Sequence, residues 1–346
     1  MREAPAGRPR APPGAPAPGR PRPTPSPPGP SRRAKSGRRR VGQSDAVTVG
    51  DAALGYAVRE GLLRPIPDAR RARWWALLGP RWRELVTRDP RTGLPDPRGE
   101  VFAAPYRWGC AVVAFNADLL RQAGGREVRD WGDLLQPALR GRVAFVDSGR
   151  DLLTAALGAS GLGPNAVARG ADLARVRDAA ARLRGQVRVA SSEDHVRSFA
   201  ARDSAAVVGW SSDVVPAAQR MSDAVVVVPA SGTTLWADLW AVPAWADGGD
   251  LLAGPSPLLP LLLEYGLQPT RATARASGGG LARGASPLLL PGGSPGDASP
   301  PTAPGVAPGL GEAVLGADWD ALRRSEFLLP LDAAAAETYA AVLRGQ

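Results

Sequence analysis

One short segment combines two indoles and a carboxylate at alternating positions, Trp236-Ala-Asp-Leu-Trp240. In an extended strand, alternate residues point to the same face, so Trp236, Asp238 and Trp240 share one face and apolar residues share the other. A carboxylate flanked by aromatic rings suits an organic ammonium ion, because the carboxylate pairs with the charge and the rings add cation–π attraction. A core pair of tryptophans with an exposed Asp238 explains these residues equally well.

Residues that most catalytic and metal sites require are scarce. The chain has one cysteine, Cys110, and one histidine, His195, whereas zinc sites need clusters of both types. Cys110 lies in an apolar run and is expected in the core, while His195 follows a polar helix start and is expected to contact solvent. The only lysine, Lys35, follows no phosphate-binding glycine turn. The sequence therefore predicts neither an enzyme nor a bound cofactor.

The basic charge is concentrated at the start of the chain. Residues 1–46 carry 11 Lys or Arg and 2 acids, which leaves 32 basic and 31 acidic side chains for the other 300 residues. No basic stripe runs through this nearly neutral body, so specific nucleic-acid binding is not predicted. The composition of residues 1–42, rich in Arg, Pro, Gly and Ala, predicts a disordered tail. This tail partly fits a plastid transit peptide.

Short apolar runs alternate with helical stretches along the body, which predicts an α/β fold with mostly parallel sheets. In such sheets, ligands lie beyond the carboxyl ends of the strands. Three turns have that position, Gly50-Asp51, Asp147-Ser148 and Trp210-Ser211. We therefore expect the polar and aromatic side chains of these turns near the ligand. A second low-complexity stretch, 276–309, is dense in Gly, Pro, Ser and Ala and is predicted to be a mobile surface insertion.

Several segments, in this order, resemble the bacterial spermidine/putrescine-binding proteins of ABC transporters and their plant and algal relatives. The resemblance covers about residues 45–275 and, more loosely, 312–345. The segments are Ala104-Pro-Tyr-Arg-Trp-Gly109, Trp131-Gly-Asp-Leu-Leu-Gln-Pro137, Leu139-Arg-Gly-Arg-Val-Ala-Phe-Val-Asp147, Val208-Gly-Trp-Ser-Ser212, Val228-Pro-Ala-Ser-Gly-Thr-Thr-Leu-Trp-Ala-Asp-Leu-Trp-Ala-Val-Pro243 and Tyr265-Gly-Leu-Gln-Pro269.

The resemblance implies a periplasmic-binding-protein-like fold of type II, with two α/β lobes, crossing strands and a ligand cleft. It implies lobe 1 at 43–115 with 237–275, and lobe 2 at 117–235 with 312–346. Its ligand contacts fall on Trp210, Trp236 and Asp238. The acidic pair of the family falls on Ser148 and Asp151, so a hydroxyl replaces one carboxylate, and Asp147 is a substitute beside it.

Two features depart from the family. Its Ser-x-Tyr contact falls on Gly50 and Ala52 and is lost, and its opening strand has no counterpart before Asp45, which predicts an incomplete first lobe. The first hypothesis is a solute-binding protein that delivers a polyamine to an ABC-type membrane permease. The alternatives are a truncated or diverged relative acting as an organelle protein-interaction module, and a binder of another organic cation such as thiamine. A periplasmic location, by family analogy, is the alternative to a plastid.

Overall fold

The computed structural model describes residues 44–167, 174–246, 255–271, 284–289, 319–331 and 333–344. The chain divides into the units Met1–Arg39 and Arg40–Gln346, and every described residue belongs to the second. The predicted tail at 1–42 therefore lies outside the described residues, as does most of the stretch 276–309.

Between residues 44 and 246, the described strands and helices largely alternate, as the apolar pattern predicts. The strands are β1 (Val47–Gly50), β2 (Leu63–Arg64), β3 (Thr87–Arg88), β4 (Glu100–Val101), β5 (Ala103–Asn116), β6 (Val143–Phe145), β7 (Val187–Ala190), β8 (Ala206–Trp210), β9 (Ala224–Val227), β10 (Thr234–Pro243) and β11 (Glu326–Phe327). The helices are α1 (Asp51–Arg59), α2 (Arg73–Leu77), α3 (Pro80–Val86), α4 (Ala117–Gln122), α5 (Gly149–Ala159), α6 (Ala174–Gln186), α7 (His195–Ala200), α8 (Ser211–Ala218), α9 (Leu259–Gly266), α10 (Trp319–Arg324) and α11 (Ala333–Arg344). None of these helices has the length and apolar character needed to cross a bilayer.

Two long strands, β5 and β10, hold the described sheet together. Its order is β1-β10-β5-β8-β6-β7, with β2 and β11 also beside β10 and β9 beside β5. The first half of β5 pairs with β10, and its second half pairs with β8 and β9. Strand β5 therefore links the two halves of the sheet.

The sheet is mixed, which refines the expectation of mostly parallel strands. Strands β6, β7 and β8 pair in parallel, as predicted for strands joined through helices. The pairs that β5 makes with β10, β8 and β9, and that β10 makes with β1 and β2, are antiparallel. The difference arises because β5 runs against its neighbours on both sides, a feature that apolar periodicity does not encode.

The apolar side chains form two core clusters on the sheet. One contains Trp74, Trp82 and Trp108, and the other contains Phe115 and Trp131. In the second half of β5, residues 112–115 alternate between the clusters because successive side chains of a strand point to opposite faces. The predicted limits of the two lobes stay a prediction.

Residues near the chain end contact both the segment predicted as lobe 1 and the segment predicted as lobe 2. The ring of Phe327 lies 5.0 Å from that of Trp82, and Arg81 Nη2 donates to the carbonyl of Arg323 at 2.7 Å. Trp82 and Arg81 fall in the predicted lobe 1. Helix α11 does pack on lobe 2, where Tyr339 is buried in the second cluster.

Residues 284–289 correct the expectation of a surface insertion for this part of 276–309. Ala285 exchanges two backbone hydrogen bonds with Trp108, and the indoles of Trp108 and Trp82 donate to the carbonyls of Ser286 and Pro287. Leu289 is fully buried. Composition misses this anchor because two tryptophans distant in sequence supply its partners.

We expect Leu289→Ala to lower the free energy of unfolding by about 2–5 kcal/mol, the usual cost of a cavity left by a buried leucine. Urea denaturation measures this change. The matched control is Leu261→Ala on α9, because Leu261 is 63% exposed and should change stability little. Equal effects of the two substitutions would contradict the buried placement of Leu289.

Candidate functional site

The face of β10 that carries Trp236, Asp238 and Trp240 is partly open. These three side chains are partly exposed, while the intervening Ala237 and Leu239 are buried. The alternation predicted from the sequence is therefore confirmed, although a bulge between Asp238 and Leu239 shifts the register.

Strand register brings Trp236 and Trp210 to the same side of the sheet. Trp236 on β10 pairs with Gly109 of β5, and Trp210 on β8 pairs with Ala111, two residues further along β5. Paired residues, and residues two apart in a strand, point to the same face. A Cβ on Gly109 would lie 2.4 Å from Trp236 Cζ2, so glycine leaves room for the indole. The two indoles thus flank β5 on one surface.

Asp238 already has a cation beside it. Arg107 of β5 pairs with it in register, and Arg107 Nε donates to Asp238 Oδ2 at 2.5 Å. The guanidinium also lies 5.9 Å from the ring centroid of Trp236. Burial works to lower the pKa of Arg107, but the hydrogen bond and charge of Asp238 outweigh it, so that the pKa is raised. The charge of Asp238 is therefore already paired with Arg107 and is not available to a ligand.

Asp51 is a carboxylate of a different kind, and it lies beside the backbone of β10. It is the first residue of α1, directly after β1, and its Oδ1 accepts a hydrogen bond from the backbone N–H of Ala237 at 3.0 Å. Burial raises the pKa of Asp51 to about 6, even though backbone N–H groups favour the charged form. The carboxylate lies beside the chain between Trp236 and Asp238.

Asp151 is a second desolvated carboxylate, and it comes from the other half of the sheet. It lies in the first turn of α5, where the Ser148 hydroxyl caps the helix by accepting from the Asp151 N–H at 3.3 Å. Burial raises the pKa of Asp151, against the hydrogen bonds that Ser148 and Trp210 make to its side chain. The exposed Trp210 indole therefore lies beside the buried Asp151 carboxylate.

Arg150 lies near both carboxylates but is held elsewhere. Its charge lowers the pKa of Asp51 and of Asp151, in each case as the weakest of the causes. Its Nη2 donates to the carbonyl of Leu329 at 2.9 Å, and its guanidinium lies 5.8 Å from the ring of Tyr339. Within the described part of the chain, no ion pair joins Asp51 or Asp151 to a cation.

Comparison with known families places this geometry in context. Residues 39–254, more than half of the chain, match the sequence model of the family described as bacterial extracellular solute-binding protein. The chain belongs to the bacterial extracellular solute-binding proteins. Among curated relatives of this solute-binding protein, spermidine/putrescine-binding periplasmic protein 1 of Haemophilus influenzae is 24% identical over 209 residues. That alignment covers 60% of this chain and 54% of the relative, so the chain spans about half the length of the relative.

Solved structures confirm the periplasmic-binding-protein-like α/β fold. The spermidine/putrescine ABC transporter substrate-binding protein PotD of Streptococcus pneumoniae superposes with a TM-score of 0.64 at 17% identity, covering 88% of this chain and 83% of that one. The Tp0655 (TpPotD) lipoprotein of Treponema pallidum gives 0.58 at 16% identity, covering 87% and 83%. The resemblance seen in the sequence motifs is thereby confirmed at the level of family and fold.

Two further predicted contact residues of this solute-binding protein, Trp240 and Asp147, have contrasting surroundings. Trp240 stacks on Tyr106, with ring centroids 4.6 Å apart, and packs so closely on Gly266 that a Cβ there would lie 2.3 Å from the indole. Asp147 is exposed, and its side chain has no hydrogen bond or ion pair with the described residues. Trp240 therefore packs on Tyr106 and Gly266, and the predicted role of the exposed Asp147 as a substitute carboxylate stays a prediction.

Cys110 and His195 do not form a reactive pair. Burial raises the pKa of the Cys110 thiol to about 12, so that the thiolate is not populated at neutral pH. His195 is 1% exposed, which corrects the expectation that it contacts solvent, and burial lowers its pKa. It packs against Gly209, where an added Cβ would lie 2.8 Å from its Nε2. Among the described residues, no cluster of three His, Cys, Asp or Glu could hold a metal.

Arg107 is the site residue that sequence reasoning missed. It lies inside the segment Ala104-Pro-Tyr-Arg-Trp-Gly109, which carried the resemblance, but its partner Asp238 is 131 residues away. Only the antiparallel register of β5 and β10 places them side by side. The signal available in the sequence was a single basic residue in an otherwise apolar strand.

Proposed function

We propose that this solute-binding protein binds a small organic diammonium ion, of the putrescine type, between Asp51 and Asp151. The observation that carries the proposal is the pair of desolvated carboxylates, one on each half of the sheet, that form no ion pair with the described residues. A buried carboxylate is costly unless it is paired, so an incoming ammonium that pairs with it removes this cost. The two ionised carboxylates would balance the two charges of the ligand.

The aromatic residues support the same ligand class. Trp210, 40% exposed, interacts with Asp151, and Trp236 flanks β5 on the same face. Indole faces attract ammonium groups and pack against methylenes. The name of the Haemophilus influenzae relative, a spermidine/putrescine-binding periplasmic protein, agrees with this choice.

The proposed role is delivery of the bound diammonium to an ABC-type membrane permease, without chemical conversion. Family membership supports transport, and the inert Cys110 and buried His195 supply no catalytic pair. A protein-interaction module is the weaker alternative, because it gives no reason for two unpaired carboxylates beside exposed indoles.

Isothermal titration calorimetry on the full chain at neutral pH tests the proposal with matched ligands. We expect putrescine to bind and its neutral isostere 1,4-butanediol to show no heat, because only the charged ligand pairs with Asp51 and Asp151. Added salt should weaken putrescine binding moderately. Thiamine binding without putrescine binding would show that the protein binds another organic cation instead of a diammonium ion. Binding of neither ligand would overturn the proposal.

A further inference from the structure

Arg107 occupies the place that an ammonium group of a ligand would take at Asp238. Its Nε lies 2.5 Å from Asp238 Oδ2, and its guanidinium lies 5.9 Å from the ring of Trp236 and 6.0 Å from the ring of Tyr106. A carboxylate and aromatic rings are the groups that recognise an organic cation. In this protein, a side chain of the protein itself already fills that arrangement.

The chain around Arg107 holds it there. Strand register sets it opposite Asp238 on the neighbouring strand. Its aliphatic part packs on Gly284, where a Cβ would lie 3.1 Å from Arg107 Cδ and where the backbone has φ +79°, a conformation suited to glycine. The next residue, Ala285, is paired with Trp108. Three separate parts of the chain, β5, β10 and residues 284–285, therefore fix the position of Arg107.

The three carboxylates Asp51, Asp151 and Asp238 thus differ in what they can accept. Asp51 and Asp151 have no ion-pair partner among the described residues, whereas Asp238 is neutralised by Arg107. Asp51 and Asp238 are close, because Gly50, the residue before Asp51, pairs with Asp238 in register. A ligand that extends beyond Asp51 toward Asp238 would bring a further ammonium group against the Arg107 cation.

We propose that Arg107 is a specificity-determining residue that restricts the site to ligands with two cationic groups and disfavours a third. The inference rests on the proposed diammonium function. Repulsion between like charges rejects the longer ligand, while the shorter one avoids the guanidinium. The substrate class is accordingly a short diamine rather than a triamine such as spermidine.

The experiment compares putrescine and spermidine by calorimetry on the full chain and on Arg107→Met, which keeps an unbranched side chain of similar aliphatic reach and removes the charged guanidinium. We expect the unmodified protein to prefer putrescine at least tenfold, and Arg107→Met to improve spermidine binding relative to putrescine at least tenfold. Arg107→Lys is the control and should retain the putrescine preference because it retains the charge.

A second variant keeps the test decisive if Arg107→Met fails to fold. Asp238→Asn leaves the guanidinium uncompensated, so it should weaken spermidine more than putrescine. Two outcomes would overturn the role of Arg107 and leave the proposed function intact. In the first, the protein binds putrescine but Arg107→Met leaves the ratio of putrescine to spermidine affinity unchanged. In the second, Asp238→Asn binds spermidine more tightly than the unmodified protein does. Absence of all diamine binding to the unmodified protein would overturn this role together with the proposed function.

Discussion

Asp151→Asn is expected to weaken putrescine binding about 100-fold, equivalent to about 2.7 kcal/mol. Truncating one partner of a buried, hydrogen-bonded charge pair typically costs about 2–5 kcal/mol, because the other charge stays buried without compensation. Asp151 is only 6% exposed, so water would compensate a bound ammonium poorly after the substitution. Isothermal titration calorimetry measures the change directly.

Two controls separate this effect from misfolding. Asp147→Asn makes the same chemical change four residues earlier, on an exposed side chain, and should leave putrescine affinity unchanged within twofold. The unliganded Asp151→Asn protein should be at least as stable as the unmodified one, because burial raises the pKa of Asp151 and the charge is therefore unfavourable there. Unchanged affinity in Asp151→Asn would remove this carboxylate from the site.

Asp51→Asn is expected to stabilise the unliganded protein by roughly 3 kcal/mol at pH 7.5. Burial raises the pKa of Asp51 from 3.8 to about 6, and each unit of such a difference corresponds to about 1.4 kcal/mol. The asparagine oxygen can still accept the hydrogen bond from Ala237. The same substitution should weaken putrescine binding. The charge of Asp51 would then lower the stability of the unliganded protein and favour binding of the ligand.

The raised pKa of Asp51 determines how the stability gain of Asp51→Asn changes with pH. Between pH 3.8 and about 6 the folded protein holds more protons on Asp51 than the unfolded chain does, so stability falls as pH rises through that window. The penalty is complete above about pH 6 and absent below 3.8. The advantage of Asp51→Asn should therefore disappear at about pH 4.

Urea denaturation at several pH values between 4 and 7.5 measures the advantage. Asp68→Asn is the control, since the side chain of Asp68 is 81% exposed. Two cations, Arg150 and Arg88, interact electrostatically with Asp51, and the pKa of about 6 already includes the favourable charge of Arg150. A gain of equal size at pH 4 and pH 7.5 would show that the charge of Asp51 is not its cause.

The local pattern of the sequence determined the elements and the faces they present. Alternation along Leu235–Trp240 gave the open face of β10, and the Asn116 side chain caps α4 by accepting from the Leu119 N–H at 2.9 Å, as its residue type predicts. These features depend on neighbours in the chain, so that residue types and spacing suffice to find them. The motifs shared with polyamine-binding proteins indicated the family and the fold.

Tertiary structure alone decided which carboxylates are free. Asp238 looked like the main counter-charge in the sequence, yet the register of β5 and β10 supplies it with Arg107. Asp51 and Asp151 became the stronger candidates because burial raises the pKa of each and neither forms an ion pair with the described residues. Pairing and desolvation depend on groups that are distant in the chain and close in space. Local sequence patterns do not show which distant residues become neighbours, so these properties could not be predicted from them.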